Sequence, residues 1–274
     1  MGKSKVHQTA KEYSRGIIGG LLFSLPLLYT MEVWWTGFIA FPEKLMGCIV
    51  FTFLILLGYN KHVGVREDQS TADLFRESVE EIGLAFVVTF LFLLLINKIG
   101  LTMSFREIAG KVILESMIVA IGISVGTEQL GQEDKVGNEK KKKKEGSTTQ
   151  MLVLALCGAV LVSSSVAPTE EILIIAIAST PVHLLLMVLL SLLLCTMILG
   201  YIDFKNTSHE EADLKRTWNL VVISYLSALL VSFIMLWFFD RIEGYGPGII
   251  VAQVIVLGVP AALGASAGRL IIGR

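Results

Sequence analysis

The sequence predicts an all-α membrane protein. It reads as eight transmembrane helices, built as two parallel four-helix repeats about a pseudo-twofold axis along the membrane normal. Three observations lead there. The 274 residues are 54% hydrophobic with a mean hydropathy of +0.70, beyond what a soluble domain carries. Apolar runs of span length follow one another, with the charges gathered in the gaps. A set of short motifs then occurs twice, in the same order.

The spans come first. A hydrocarbon core about 30 Å thick takes about 20 apolar residues of helix. Eight segments meet that length: 16–38, 42–59, 79–98, 105–126, 151–178, 181–202, 217–239 and 247–270. They are too long for barrel strands and lack dyad alternation. The first follows a basic N-terminus and is too long for the apolar part of a cleavable signal, so it reads as a span. With the N-terminus inside, all but five of the 23 Lys and Arg residues fall on the cytoplasmic side. The five are Lys44, Lys98, Arg106, Lys111 and Arg241. That bias predicts a multi-pass protein of the plasma (inner) membrane with both termini cytoplasmic.

Between the fourth and fifth spans lies EDKVGNEKKKKKEGSTT, a polar, low-complexity stretch inside the lysine-rich linker 131–149. It reads as a topology anchor, with binding to anionic lipid headgroups as the sharper alternative. Cys48, Cys157 and Cys195 each sit in an apolar run without a CxxC spacing or a nearby His, and read as buried apolar residues. The net charge of −1 gives no field for nucleic acid.

The repeat is visible by eye. Thr30-x-Glu32, nine residues, then Pro42 matches Thr169-x-Glu171, nine residues, then Pro181, at an offset of 139. Gly19 meets Gly158 and Ser24 meets Ser163 at that same offset. Leu57-Gly58-Tyr59 matches Leu199-Gly200-Tyr201, and Ala72-Asp73-Leu74-x-Arg76 matches Ala212-Asp213-Leu214-x-Arg216. Asn97-Lys98-Ile99 meets Asp240-Arg241-Ile242, and Gly122-x-Ser124-x-Gly126 meets Gly264-x-Ser266-x-Gly268. The order is constant and the offset drifts only from 139 to 143. The predicted organisation is a first repeat over 1–130, the linker over 131–149 and a second repeat over 150–274. Four spans per half is an even number, so both halves enter the membrane in the same sense.

GLLFSLPLLYTMEVWW together with VAPTEEILIIA resembles an uncharacterised bacterial family of integral membrane proteins, over the whole chain. The resemblance implies the fold class and assigns no activity.

The candidate site residues follow from charge in apolar surroundings. A carboxylate or cation in the bilayer costs roughly 2.5–3.5 kcal/mol on insertion scales and marks function by default. Glu32 and Glu171 occupy corresponding places in the outer third of the membrane, each after a proline, Pro26 or Pro168, that can free backbone carbonyls. Carboxylate and carbonyl oxygens suit a hard cation. Thr30 and Thr169 can join that shell or bond a carbonyl one turn back. Glu170 aligns with Met31 and points about 100° away from Glu171 on the helix. Glu115 lies roughly 15 Å into the fourth span, with Leu257 as its repeat partner and Lys111 one turn away. It is either a Lys–Glu pair or a deeper station on an ion path. Asp73 with Arg76 and Asp213 with Arg216 are i, i+3 pairs, reading as capped interfacial helices or as a symmetric inner gate or docking surface. GISVG and GASAG match a hydrolase nucleophile elbow by letter only. On membrane helices, glycines four apart permit close packing.

The function expected from these residues is cation permeation or transport through a channel or carrier. Glu32 and Glu171 form its acidic metal-binding pair near the external side. The ion is a divalent such as Ca²⁺ or a proton-coupled cation, and no other cofactor is expected. The partners are the lipid bilayer, an inorganic cation and, if four carboxylates ring a shared pore, a second copy in a homodimer. The alternative is a non-transporting sensor or assembly protein with structural glutamates. No enzyme is expected, because HExxH, a P-loop and a Ser–His or Ser–Lys dyad at helical spacing are absent.

Overall fold

The computed structural model describes the backbone of residues 2–63, 70–100, 102–131, 148–206 and 214–272. These residues form ten α-helices and no strand, in two compact units, Met1–Ser147 and Thr148–Arg274. Unit 1 holds α1 (Gly2–Leu28), α2 (Met31–Ile39), α3 (Pro42–His62), α4 (Thr71–Leu95) and α5 (Phe105–Gly131). Unit 2 holds α6 (Thr148–Ser163), α7 (Glu171–Ala178), α8 (Pro181–Asn206), α9 (Leu214–Phe238) and α10 (Pro247–Ile272).

The first expected span, 16–38, is not one helix. Its Lys11–Leu28 portion and Met31–Ile39 meet at 86°. The cause is local. Pro26 brings no N–H to the helix near its end. The Thr30 N–H bonds Leu27 O at 2.8 Å, while the Thr30 hydroxyl donates to Pro26 O at 2.6 Å. Thr30 itself is extended, with φ −87° and ψ 114°, and the chain turns there. Pro42 then opens α3 at its first turn, where the missing N–H costs nothing. α4 starts on a reciprocal capping box: the Ser70 side chain takes the Asp73 N–H, and the Asp73 carboxylate takes the Ser70 N–H.

The expected span 151–178 is also divided. α6 stops at Ser163, turns follow, and α7 begins at Glu171. Ser164 and Ser165 bond back to Leu161 O and Val162 O, giving the backbone an alternative to further helix. Pro168 follows. Six described helices are long and apolar enough to cross a membrane: α3, α4, α5, α8, α9 and α10. The bent α1–α2 pair makes a seventh, while α6 is apolar but only 16 residues. Length and composition thus give six or seven spans where the sequence predicted eight. The chain is a multi-pass membrane protein, and its helices expose large apolar side chains suited to lipid, such as Leu95, 81% exposed, and Met46, 67% exposed.

The last helix of each unit is its centre. α5 packs on α1, α2, α3 and α4, and α10 packs on α6, α7, α8 and α9. The repeated glycines allow this. A Cβ on Gly19 would stand 2.8 Å from Gly122 O, and one on Gly122 would stand 3.0 Å from Gly20 Cα. In unit 2, a Cβ on Gly158 would stand 3.0 Å from Gly268 Cα, and one on Gly264 2.9 Å from Val162 Cβ. GISVG and GASAG are therefore helix-packing surfaces.

Both fourth helices end alike. Asn97 (φ 60°) and Asp240 (φ 58°) take left-handed backbone. The next N–H reaches back, Lys98 to Leu93 O and Arg241 to Leu236 O, each at 2.8 Å. This is a Schellman stop in each unit.

Candidate ion site

Glu32 and Glu171 lie in the first turns of α2 and α7. Helix N-termini favour a carboxylate there, so their placement has a local electrostatic reason. Glu32 is half-buried, while Glu170 and Glu171 are exposed. The hydroxyls of Thr30 and Thr169 donate to Pro26 O and Val166 O, at 2.6 and 2.8 Å. Their protons serve the backbone at the break. Among the described residues no three His, Cys, Asp or Glu side chains gather as a metal site.

Glu115 is the residue that the fold isolates. It sits on the central helix of unit 1, is 0% exposed, and neither carboxylate oxygen has a hydrogen-bond partner. The Trp34 indole of α2 faces it, yet Trp34 Nε1 is buried without a completed bond of its own. The expected Lys111–Glu115 pair gives way to another. Lys111 Nζ bonds Glu107 Oε1 at 2.7 Å and Lys98 O at 3.3 Å, with Met103 Sδ at 3.6 Å. Glu107 lies one turn before Lys111 and closer to the helix end, where its charge is less desolvated. Lys111 therefore stands between two carboxylates, one turn to either side, and is bonded to the shallower one. Lys98 Nζ lies 4.1 Å over the Trp34 ring, a cation–π contact. Leu93, Ile99 and Val112 pack against the same indole. The Schellman stop aims Lys98 this way, and the α1–α2 bend brings Trp34 to it.

A second polar group joins α3, α4 and α5. Asn60 Nδ2 donates to Ser78 Oγ at 3.2 Å and to Glu81 Oε2 at 2.9 Å. Ser124 Oγ donates to Asn60 Oδ1 at 2.8 Å. Asn60, Ser78 and Ser124 are all buried. The sequence reading missed Asn60 and Glu81. The signal was weak: each is a polar residue near the end of an expected span, Asn60 just after 42–59 and Glu81 just inside 79–98.

At the start of α4, Asp73 belongs to the capping box and Arg76 bonds Glu80 at 3.0 Å. The Arg76–Glu80 pair is exposed, a kind of contact worth little. Asp213, the Arg216 side chain and linker residues 132–147 lie outside the described residues. The three cysteines are buried and form no disulfide.

The family model that matches covers residues 12–272 and is described as "Putative integral membrane protein (DUF2391)". The chain belongs to the DUF2391 family. Comparison with curated proteins and with solved structures gives no match. In this DUF2391 chain, unit 2 repeats the frame with different side chains. At the offset of 142, Gln253 stands for Lys111 and Leu257 for Glu115; at 139, Leu173 stands for Trp34. Gln253 is fully buried with Nε2 and Oε1 unbonded. Arg241 stands for Lys98 and gives its guanidinium to Pro168 O, before α7. Unit 2 also has an apolar groove of about 480 Å³ between α8, α9 and α10, bordered by Val188, Tyr225, Phe233 and Ile250. It has the character of a lipid-facing surface.

Proposed function

We propose that the chain is a cation transporter whose coupling ion is the proton, and that unit 1 carries the ion site with Glu115 at its centre. The observation behind this reading is a fully buried carboxylate on the central helix with both oxygens unbonded. Such a group is expensive in a bilayer and is kept for ion or proton movement by default. A proton needs one oxygen. Ca²⁺ takes 6–8 oxygen ligands, and Glu115 is faced by an indole and a lysine. The geometry therefore favours the proton over the divalent ion suggested by twin glutamates.

Lys111 gives the site its second state. While Glu115 holds a proton, the ammonium rests on Glu107. When Glu115 releases it, the ammonium moves one turn along α5 to the new carboxylate, and Glu107 is freed for an incoming cation. Glu32, Glu171 and Glu170 draw cations to the external side, with Thr30 and Thr169 fixing the breaks beside them.

The reading keeps eight crossings, with α6 and the turns up to α7 completing the fifth. Its support is the even count that each half then has. This gives two parallel repeats about an axis along the membrane normal, with both termini on the lysine-rich cytoplasmic side of the plasma membrane.

The test is proton movement into proteoliposomes driven by an imposed K⁺ or Na⁺ gradient. Wild-type protein is expected to acidify or alkalinise the lumen. E115Q is expected to lower the rate at least about hundredfold, the equivalent of about 2.7 kcal/mol. Equal rates for E115Q and wild type would end the proposal.

A further inference from the structure

Resting on that reading of Glu115, we propose that Glu81, held by Asn60 and Ser124, is a second proton-binding carboxylate of unit 1, serving the opposite end of the helices from Glu115.

The placement comes from the helices. Trp34, Leu93 and Ile99 mark the Glu115 level at the C-terminal end of α4. Glu81 lies near the other end, roughly 18 Å of helix before Leu93. On α5, Ser124 marks the Glu81 level and lies roughly 13 Å beyond Glu115. Two buried hydroxyls belong to helices that line the interval. Thr89 of α4 is 0% exposed and its Oγ1 has no partner. Thr52 of α3 is buried and bonds the carbonyl of Cys48, whose thiol meets Ile113 O and Met117 Sδ on α5, either side of Glu115. Unit 1 thus sets titratable or hydroxyl groups at successive levels of one helix cluster.

The network fits a carboxylate that changes charge. Asn60 uses both amide hydrogens, one on Ser78 Oγ and one on Glu81 Oε2, and its oxygen is held by Ser124. The Ser78 hydroxyl is committed to Leu74 O. The second Glu81 oxygen can therefore take or give a proton while the amide remains anchored. Ser124 also lies beside the Glu81 carboxylate.

The charged groups around it come from every side of the cluster. Glu77 and Glu80 lie on its own helix, with Arg76 bound to Glu80. Lys61 and His62 follow Asn60 on α3, and Glu128 lies one turn past Ser124 on α5. Arg15 of α1 has its carbonyl beside Gly126. The acidic neighbours on α4 make a local exit for a proton leaving Glu81. Unit 2 lacks the device. At the offsets of the flanking motifs, Ile202 and Val221 stand for Asn60 and Glu81.

The test uses the full chain in detergent and in proteoliposomes. The pH-difference infrared spectrum of wild type is expected to contain a carboxylic-acid band that disappears in E81Q, survives in E115Q and shifts in N60S, which loses the amide donor. E81Q is expected to lower steady-state proton transport at least about tenfold. A band unchanged in E81Q, or transport within about twofold of wild type, overturns the proposal. If E81Q does not fold, N60S decides alone, since an unshifted band overturns it as well. Because E115Q should keep the Glu81 band, failure of the Glu115 reading is seen as normal E115Q transport and is distinct from failure at Glu81.

Discussion

Unit 1 and unit 2 share a frame and differ in their buried chemistry. Each has a first helix ending before a short one, a proline opening the third, a Schellman stop on the fourth and a glycine-lined central fifth. Inside that frame, unit 1 buries Lys111, Glu115 and the Asn60 network. Unit 2 has Gln253 with nothing to bond, and leucine where Glu115 would stand. The lesson is that the backbone devices occur in both units while the buried charges do not. The devices hold the helices of each unit together. Buried charges are costly in a bilayer, and among the described residues the buried ones, Lys44, Lys111, Glu115 and Glu128, lie in unit 1.

The shared frame can be broken first, with the largest effect. G126L and G264L each drive a side chain into the backbone of the facing helix. Both are expected to lose about 3 kcal/mol or more, the upper range of overpacking, and the yield of monodisperse protein in detergent should collapse for both. A collapse in one alone would show that the crossings are not equivalent.

The next pair separates the units by sign. K111M removes the cation that Glu107 bonds. Breaking a buried pair costs about 3–5 kcal/mol, and the partial exposure of Glu107, 19% for its side chain, lowers the expected loss to about 1–3 kcal/mol. Q253M removes an amide with no partner and is expected to raise stability by about 1 kcal/mol. Thermal unfolding in detergent reads both, and a loss in Q253M would mean that the amide has a partner in the working protein.

How much of this was legible beforehand depends on whether a feature is local. Pro26, Thr30 and the glycine spacing speak through backbone rules, so the helix breaks and packing faces could be placed on the sequence. The full turn at Thr30 could not, because both sides of it are apolar and hydropathy does not record direction. The repeated Glu32 and Glu171 stood out for the same reason the frame did: the motif that carries them occurs twice in the sequence. Glu115 and Lys111 were visible as charges, but the choice of Glu107 over Glu115 needed the carbonyl of Lys98, which arrives through the end of another helix. Asn60 and Glu81 were hidden because each stands near a span end, where polar residues are ordinary. Only contact across three helices makes them a group.

The smallest effect concerns the helix stop at Asn97. N97G relieves left-handed backbone at a side-chain-bearing residue and is expected to stabilise by a few tenths of a kcal/mol, since Asn tolerates that region. The melting temperature of this variant tests it. A destabilised N97G would show that its side chain holds something the stop itself does not require.

The proposed function centres ion chemistry on the buried Glu115 rather than on the twin glutamates at the helix breaks. The most direct measurement compares gradient-driven proton flux for E115Q with that of the E32Q/E171Q double variant in the same proteoliposomes. The account predicts loss of at least about hundredfold in E115Q and a change of no more than about tenfold in the double variant. Near-complete loss in the double variant alongside normal flux in E115Q would contradict it.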